Sequence, residues 1–422
     1  MKKRFVFFAV VLIQFCIYGQ SERKNLSLND AIELGIKNNQ EIKSAVENIS
    51  AAKGKFWSGI SLPQPELGIS YEYVPVNNSL KNFGERSVEI SQSFEFPSNY
   101  FLKANKFIKG EEIAVNELTF TQRKVISKIK TGYYKVLAKQ NQLKYAAENL
   151  EISEDFYKKA EIKYAVGVGS NLEKLTAKVQ FTEVLNNLET VKNELTNANS
   201  EFIFALGLDT KSDNSGYELV DSLVFVDHQL TLENLLQSLE VTNAEIIAAG
   251  LNNDVASVEK SLAWSSLLPN FNLAYFKQTL GADNGFYGAS FGVSVPLWFF
   301  MDQRGKILEA DANQSISESE FQLTKNEIAL MVKNAFINHE NNMKQVRLYL
   351  NEILPLAEEI YRTAERSYDA GELTYIEYLQ AKQTLISSRN NYINALYNHY
   401  QSDFILEELT GQNNFDKTEL EN

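Results

Sequence analysis

The chain has 422 residues, with 54 acidic side chains against 41 basic ones and a formal charge of -13. This balance argues against nucleic acid as a partner, because phosphate binding needs clustered Lys and Arg. A single cysteine excludes a disulfide framework, and seven prolines with 20 glycines are too few for a fold made of many short turns.

Residues 1–20 read as a secretory signal peptide: Lys2, Lys3 and Arg4, an apolar run from Phe5 to Ile13, then Tyr18-Gly19-Gln20 before the polar Ser21. The apolar stretch is shorter than the ~20 residues of a spanning helix. Cys16 lies inside it, after Ile13-Gln14-Phe15, which lacks the small residues that precede a lipidated cysteine. Loss of Lys2, Lys3 and Arg4 on cleavage would take the formal charge from -13 to -16. No mature segment is apolar enough for a transmembrane helix, so a membrane-embedded form would have to cross as strands.

From Leu26 the chain predicts a helix capped by Ser27 or Asn29, with Ile32, Ile36, Ile42, Val46 and Ile49 on one stripe, ending near Pro63 and Pro65. The period then changes to two. Leu67, Ile69, Tyr71 and Tyr73 alternate with Glu66, Gly68, Ser70 and Glu72, and after a turn at Asn77-Asn78-Ser79 so do Val88, Ile90, Phe94 and Phe96 with polar neighbours, up to Pro97. A proline-free stretch from Ser98 to about Ala165 carries Ile129, Val136, Leu143, Leu150, Tyr157 and Tyr164 at heptad spacing, with small Ala146, Ser153 and Ala160 also seven apart. About 68 residues at ~1.5 Å each make a rod of roughly 100 Å. Gly167 and Gly169 break the rod, Ser170 or Asn171 recaps it, and a return helix runs to Gly207.

The plan then repeats. Tyr164, Gly167, Glu173, Leu175, Ala177 and Lys178 recur as Tyr368, Gly371, Glu377, Leu379, Ala381 and Lys382, each 204 residues on, and the same offset pairs Asn39 with Asn243 and Gly207 with Gly411. A period this long marks a duplicated domain-sized unit rather than a solenoid. The boundaries expected are a first repeat over 21–210, a linker over 211–229, a second repeat over 230–411 and a tail over 412–422. In the second repeat Phe271, Leu273 and Tyr275, then Tyr287, Ala289, Phe291, Val293 and Val295, form the strand pattern. Trp298-Phe299-Phe300 follows at the step into a helix predicted from about Asp302 to Ala370. Pro355 inside that helix predicts a kink unless packing compensates.

The fold class is thus mainly α with a small β part, built as a duplicated helix, β-hairpin, long helix and helix. Four strands cannot close a barrel and open edges cannot face lipid, so several copies would have to pool their strands; three give twelve. The competing reading is two hairpins packed on a soluble helical body.

The duplicated plan, the paired Tyr-X-X-Gly turns with their downstream Leu-X-Ala, and the step from Val295-Pro296-Leu297 into Arg304-Gly305-Lys306 resemble the TolC family of outer-membrane efflux proteins, over about Leu26 to Gly411. The resemblance implies a homotrimer whose twelve-stranded outer-membrane barrel continues into a periplasmic α-helical tunnel in a Gram-negative bacterium. It also implies passive export, coupled through a periplasmic adaptor to an inner-membrane RND-type pump. The periplasmic tips, where adaptors dock, correspond to Val166, Gly167 and Val168 in the first repeat. In the second they correspond to Gly371, Glu372 and Leu373, which depart from the valine-glycine start. Glu377 corresponds to a carboxylate facing the constricted pore, where three copies would make a ring that favours cations and raises its own pKa by mutual repulsion. Gln380 removes a second ring. Tyr368 and Glu173 correspond to residues that link neighbouring helix pairs in the closed tunnel, while Leu373 replaces the arginine that reinforces those links.

The Ile353-Leu354-Pro355 step, the Gly371-Glu372-Leu373 tip and the Trp298-to-Lys306 stretch resemble the heavy-metal branch of CzcC or CusC type; drug efflux and type I protein secretion are the rival cargo classes. A periplasmic coiled-coil scaffold or adaptor is the alternative of another class. No enzymatic motif, cofactor site or metal-ligand spacing is present. His228, His339 and His399 are dispersed and read as surface residues, and Glu111-Glu112, Glu358-Glu359 and Glu407-Glu408 read as solvated helix faces.

Overall fold

The computed structural model describes residues 24–76, 79–209, 217–227, 230–281 and 283–412. The expected signal peptide with Cys16, the turn residues Asn77 and Asn78, His228, and the tail beyond Gln412 lie outside the described residues.

The elements run β1 (Lys24–Leu26), α1 (Leu28–Asn38), α2 (Gln40–Gly59), β2 (Glu66–Glu72), β3 (Glu85–Phe94), α3 (Pro97–Ala165) and α4 (Asn171–Ala205). The second half follows with β4 (Tyr217–Leu219), α5 (Leu232–Thr242), α6 (Ala244–Ser265), β5 (Asn270–Leu280), β6 (Asp283–Ser294), α7 (Asp302–Leu348), a π-helical turn (Tyr349–Ile353), α8 (Leu354–Asp369) and α9 (Tyr375–Thr410). Each repeat is therefore helix pair, hairpin, long helix, return helix.

The sequence predicts one helix before each hairpin; the structure has two. Asn39 ends α1 and starts α2: its side chain accepts from Glu41 N at 2.8 Å and donates to Ala205 O at 3.3 Å. Its repeat partner Asn243 accepts from Ile246 N at 2.9 Å and donates to Leu409 O at 2.7 Å. One amide thus caps a helix start and closes the end of the return helix. Gly207 and Gly411 follow those ends with φ of 70° and 66°, the left-handed conformation that terminates a helix.

Pro97 opens α3 rather than merely closing β3, since a first-turn residue needs no N–H partner. Ile129 and Val136 on the heptad are fully buried, and the small Ala146, Ser153 and Ala160 are buried as well. In the second repeat the long helix passes through the π-helical turn just before Pro355, so the missing N–H of the proline falls where the hydrogen-bond ladder changes register.

β2, β3, β5 and β6 form one antiparallel sheet in that order, leaving β2 and β6 as edges. Its apolar face is open: Leu67, Ile69, Leu273, Tyr275 and Phe291 are each 49% or more exposed. A parallel pair, β1 with β4, ties the start of the chain to the segment joining the repeats. Tyr133 fixes this junction: its hydroxyl donates to Asp221 Oδ2 at 2.6 Å and lies 3.0 Å from Leu26 O.

Three apolar cores string along the molecule. One joins α1, α3, α4 and α9 through Ile129, Tyr133, Phe202, Leu206 and Leu396. A second joins α5, α6, α7 and α9 through Leu235, Ile328, Val332 and Leu406. The third lies near the α3–α4 and α8–α9 turns. Among the described residues no helix is long and apolar enough to cross a membrane.

Candidate functional site

The two interhelical turns are built alike. Gly167 N bonds Tyr164 O at 3.1 Å and Gly371 N bonds Tyr368 O at 3.0 Å; Val168 N bonds Lys163 O at 3.0 Å and Glu372 N bonds Ser367 O at 2.9 Å. Gly167 and Gly371 have φ of 80° and 78°, so at both positions a side chain would be strained. On this shared frame the side chains differ. Val166 and Val168 project into solvent at 67% and 80% exposure, whereas Leu373 lies half-buried against the neighbouring tyrosines. Glu372 is exposed.

Ser170 caps α4 by accepting from Glu173 N at 3.0 Å. Thr374 caps α9 more completely. Its N and Oγ1 both donate to Glu377 Oε2, at 2.9 and 2.6 Å, forming a capping box. These bonds from Thr374 hold the Glu377 carboxyl below its usual range within one chain. Glu377 and Gln380 line one shallow groove between α8 and α9, together with Glu359 and Thr384.

Behind the turns lies an aromatic cluster that sequence reasoning missed. Phe156 stacks on Tyr375 at 3.9 Å with planes 9° apart, and its ring also neighbours Tyr368 at 5.9 Å and Tyr378 at 6.2 Å. Lys163 donates to the Tyr368 hydroxyl at 3.3 Å and lies 5.1 Å from its ring centre. Phe156 and Lys163 belong to the first repeat and the tyrosines to the second, so the cluster fastens one helical hairpin to the other. Burial raises the Tyr375 phenol, and the charges of Tyr368 and Glu173 add to this. The legible trace was Phe156 beside the heptad residue Tyr157, with Tyr375 and Tyr378 opening α9.

One heptad further along α9, Lys382 is 5% exposed, and its ammonium bonds Ser153 Oγ at 3.2 Å. Burial alone pulls this amine down to about 8. Its repeat partner Lys178 is exposed.

The histidines require a correction. His339 and His399 are each 1% exposed, with ring centres 5.2 Å apart, and His339 Nδ1 is 3.7 Å from the fully buried Asp403. The sequence shows them dispersed because the contact joins α7 to α9, across 60 residues of chain. Burial pushes the Asp403 carboxyl up to about 7, with Glu407 adding and Lys130 opposing. Glu407 is likewise buried, ion-paired with Lys130, because positions 399, 403, 406, 407 and 410 share the inward face of α9. Among the described residues no group of three His, Cys, Asp or Glu side chains is placed to hold a metal.

The outer membrane efflux protein profile matches residues 31–208 and again 235–412. The second match is displaced by the same 204 residues at both ends, from 31 to 235 and from 208 to 412. The chain belongs to the outer membrane efflux protein family. Cobalt-zinc-cadmium resistance protein CzcC of Cupriavidus metallidurans is 21% identical over 409 residues, covering 92% of this chain and 90% of its own. Outer membrane protein TolC of Salmonella enteritidis is 22% identical over 387 residues, covering 86% and 77%. A solved structure of CusC superposes with a TM-score of 0.77 at 16% identity, covering 93% and 94%. The fold is that of these channels, and the outer membrane is the place of the protein. A periplasmic scaffold or adaptor is set aside by this membership.

Proposed function

We propose that three copies pool their sheets into a twelve-stranded outer-membrane barrel continued by six helical hairpins around a periplasmic tunnel. The observation that carries this reading is the sheet itself. Strands of 10, 11 and 12 residues in β3, β5 and β6 suit a tilted transmembrane strand. One face is apolar and uncovered, and the edges β2 and β6 are open. Closure with further copies removes those edges and turns the apolar face to lipid.

The assembly is a passive export conduit, fed by an inner-membrane RND-type pump through a periplasmic adaptor. The adaptor docks at the tips formed by Val166, Gly167 and Val168 and by Gly371, Glu372 and Leu373. Glu173, Tyr368, Glu377 and Gln380 form the gate, with Glu377 giving the constriction a negative charge. The cargo is a heavy-metal cation, supported by the resemblance to CzcC and CusC. Deletion of the gene should sensitise cells to cobalt, zinc or cadmium, with restoration by the intact gene. Sensitisation to drugs alone, or loss of a secreted protein alone, would move the cargo to those classes.

A further inference from the structure

The buried histidines and Asp403 take no part in the conduit described above, and the duplication shows that the fold can be built without them. Shifted by 204 residues, His339, His399 and Asp403 correspond to Lys135, Leu195 and Asn199. Lys135 forms an exposed bond with Glu201 at 2.6 Å, and Asn199 is exposed. The first repeat thus packs its long helix on its return helix with no buried acid or imidazole at these positions, whereas the second repeat puts all three inside.

Asp403 is 0% exposed, and neither of its oxygens has a hydrogen-bond partner among the described residues. A buried carboxylate without donors is strongly disfavoured. The titratable groups around it come from three helices. α3 brings Lys130 and Tyr134, and α9 itself brings Glu407 and Tyr400. α7 brings His339, whose Nδ1 is 3.7 Å from Asp403 Oδ1 and whose ring centre is 5.2 Å from that of His399. α5 meets α9 through the apolar Leu235 and Leu239, and the π-helical turn adds Tyr349 to the neighbouring core. The segment before α5 brings two carbonyls: Val224 O accepts from the Tyr400 hydroxyl, and Val226 O lies 3.2 Å from His399 Nε2. Lys130 and Glu407 are ion-paired, so their charges cancel, and an ionised Asp403 would leave one net negative charge in the site. A single proton restores neutrality. In a dry site two neutral groups are favoured over an ion pair, which puts that proton on Asp403 and leaves His339 as the base facing it.

We propose that Asp403 and His339 share one proton and thereby keep the seam between α7 and α9 closed in acid. A buried imidazole alone loosens a fold as pH falls, because the unfolded chain takes up a proton that the desolvated ring refuses. A buried carboxyl alone does the reverse, because the fold keeps a proton that the unfolded chain has lost. In the pair the two effects cancel between about pH 4.5 and 6, where the unfolded pair also holds one proton, on its histidine. α9 begins at the Thr374–Glu377 capping box and carries Asp403 near its other end, so the pair holds the base of the helix whose first turn follows the Gly371 turn.

Amide hydrogen exchange of the detergent-purified protein, corrected for the intrinsic rate at each pH, tests the pair over residues 332–342 and 395–407. Relative to the unmodified protein, Asp403→Asn should increase local opening by up to about tenfold for each pH unit of acidification across that range, the slope of one proton. Asn is the residue the first repeat carries at the matching place, Asn199. His339→Gln should decrease local opening on acidification by a similar factor, and the double variant should return to the unmodified slope. Shifts of the same sign in the two single variants, or no shift in either, overturn the proposal. A second reading needs no substitution. The infrared spectrum of the folded protein at about pH 6, where an ordinary carboxyl is ionised, should contain a protonated-carboxyl stretch that vanishes on unfolding at the same pH. Absence of that band from the folded protein overturns the proposal as well.

Discussion

Phe156→Ala should loosen the end of the helical hairpins and leave the rest of the molecule intact. Phe156 is 7% exposed and stacked on Tyr375 at 3.9 Å, with Tyr368 and Tyr378 within 6.2 Å. Truncating a buried Phe costs about 3–5 kcal/mol, of which the ring geometry accounts for about 1 kcal/mol. The cost falls on the end segment because the cluster there is separate from the two apolar cores further along the helices. A local loss of about 4 kcal/mol, at tenfold for each ~1.4 kcal/mol, speeds exchange through local opening by about a thousandfold. Amide hydrogen exchange should therefore accelerate by that order over residues 153–180 and 361–385, with residues 125–137 unchanged. Phe156→Leu, which keeps most of the apolar volume, should show a smaller effect. Equal acceleration along the whole of α3, or none near the turn, would refute the assignment of the cluster as a local fastening.

Glu377→Gln separates charge from capping, because an amide oxygen can take the place of the carboxylate in the box with Thr374. Single-channel recording should show reduced cation selectivity with thermal stability retained, and unchanged selectivity would remove Glu377 from the pore. Gly207→Ala and Gly411→Ala both force a side chain into a left-handed backbone at about 1–2 kcal/mol. At 207 the new methyl also meets Asn39 Cα at 2.7 Å and Asn38 C at 2.8 Å, whereas at 411 it meets only the movable end of Arg123. Thermal unfolding followed by circular dichroism should rank Gly207→Ala well below Gly411→Ala. Lys382→Met should stabilise the protein at neutral pH. The amine pKa is depressed to about 8 in the fold from 10.5, so the unfolded chain binds more protons between those values, and wild-type stability rises with pH across that window. The variant should show no such rise there, and a parallel pH profile would refute the burial of a charged amine as its cause.

The elements with a strong period were legible. Alternation at Leu67–Tyr71 and Phe271–Tyr275 gave strands, and the 129-to-164 heptad gave the long helix. The 204-residue echo gave the order of both halves. The split of the first helix at Asn39 escaped because helical spacing continues across it; only the tertiary bonds to Ala205 and Leu409 show why Asn39 and Asn243 recur. The two buried histidines and Asp403 escaped for a related reason. Composition suggests exposure for isolated polar residues, but packing of α7 against α9 decides it. At the candidate site the glycines were readable, since a left-handed turn needs them. The ring stack was not, since Phe156 and Tyr375 lie more than 200 residues apart and meet only when the two repeats pack.

As proposed above, this chain forms a conducting outer-membrane trimer. The direct measurement is planar-bilayer conductance of protein purified in detergent from outer-membrane fractions, with its mass determined by light scattering. A three-chain particle, recovered only with detergent, should insert and give discrete, cation-favouring conductance steps. A soluble periplasmic species, or a detergent-extracted particle that never conducts under conditions that open the tip, would contradict it.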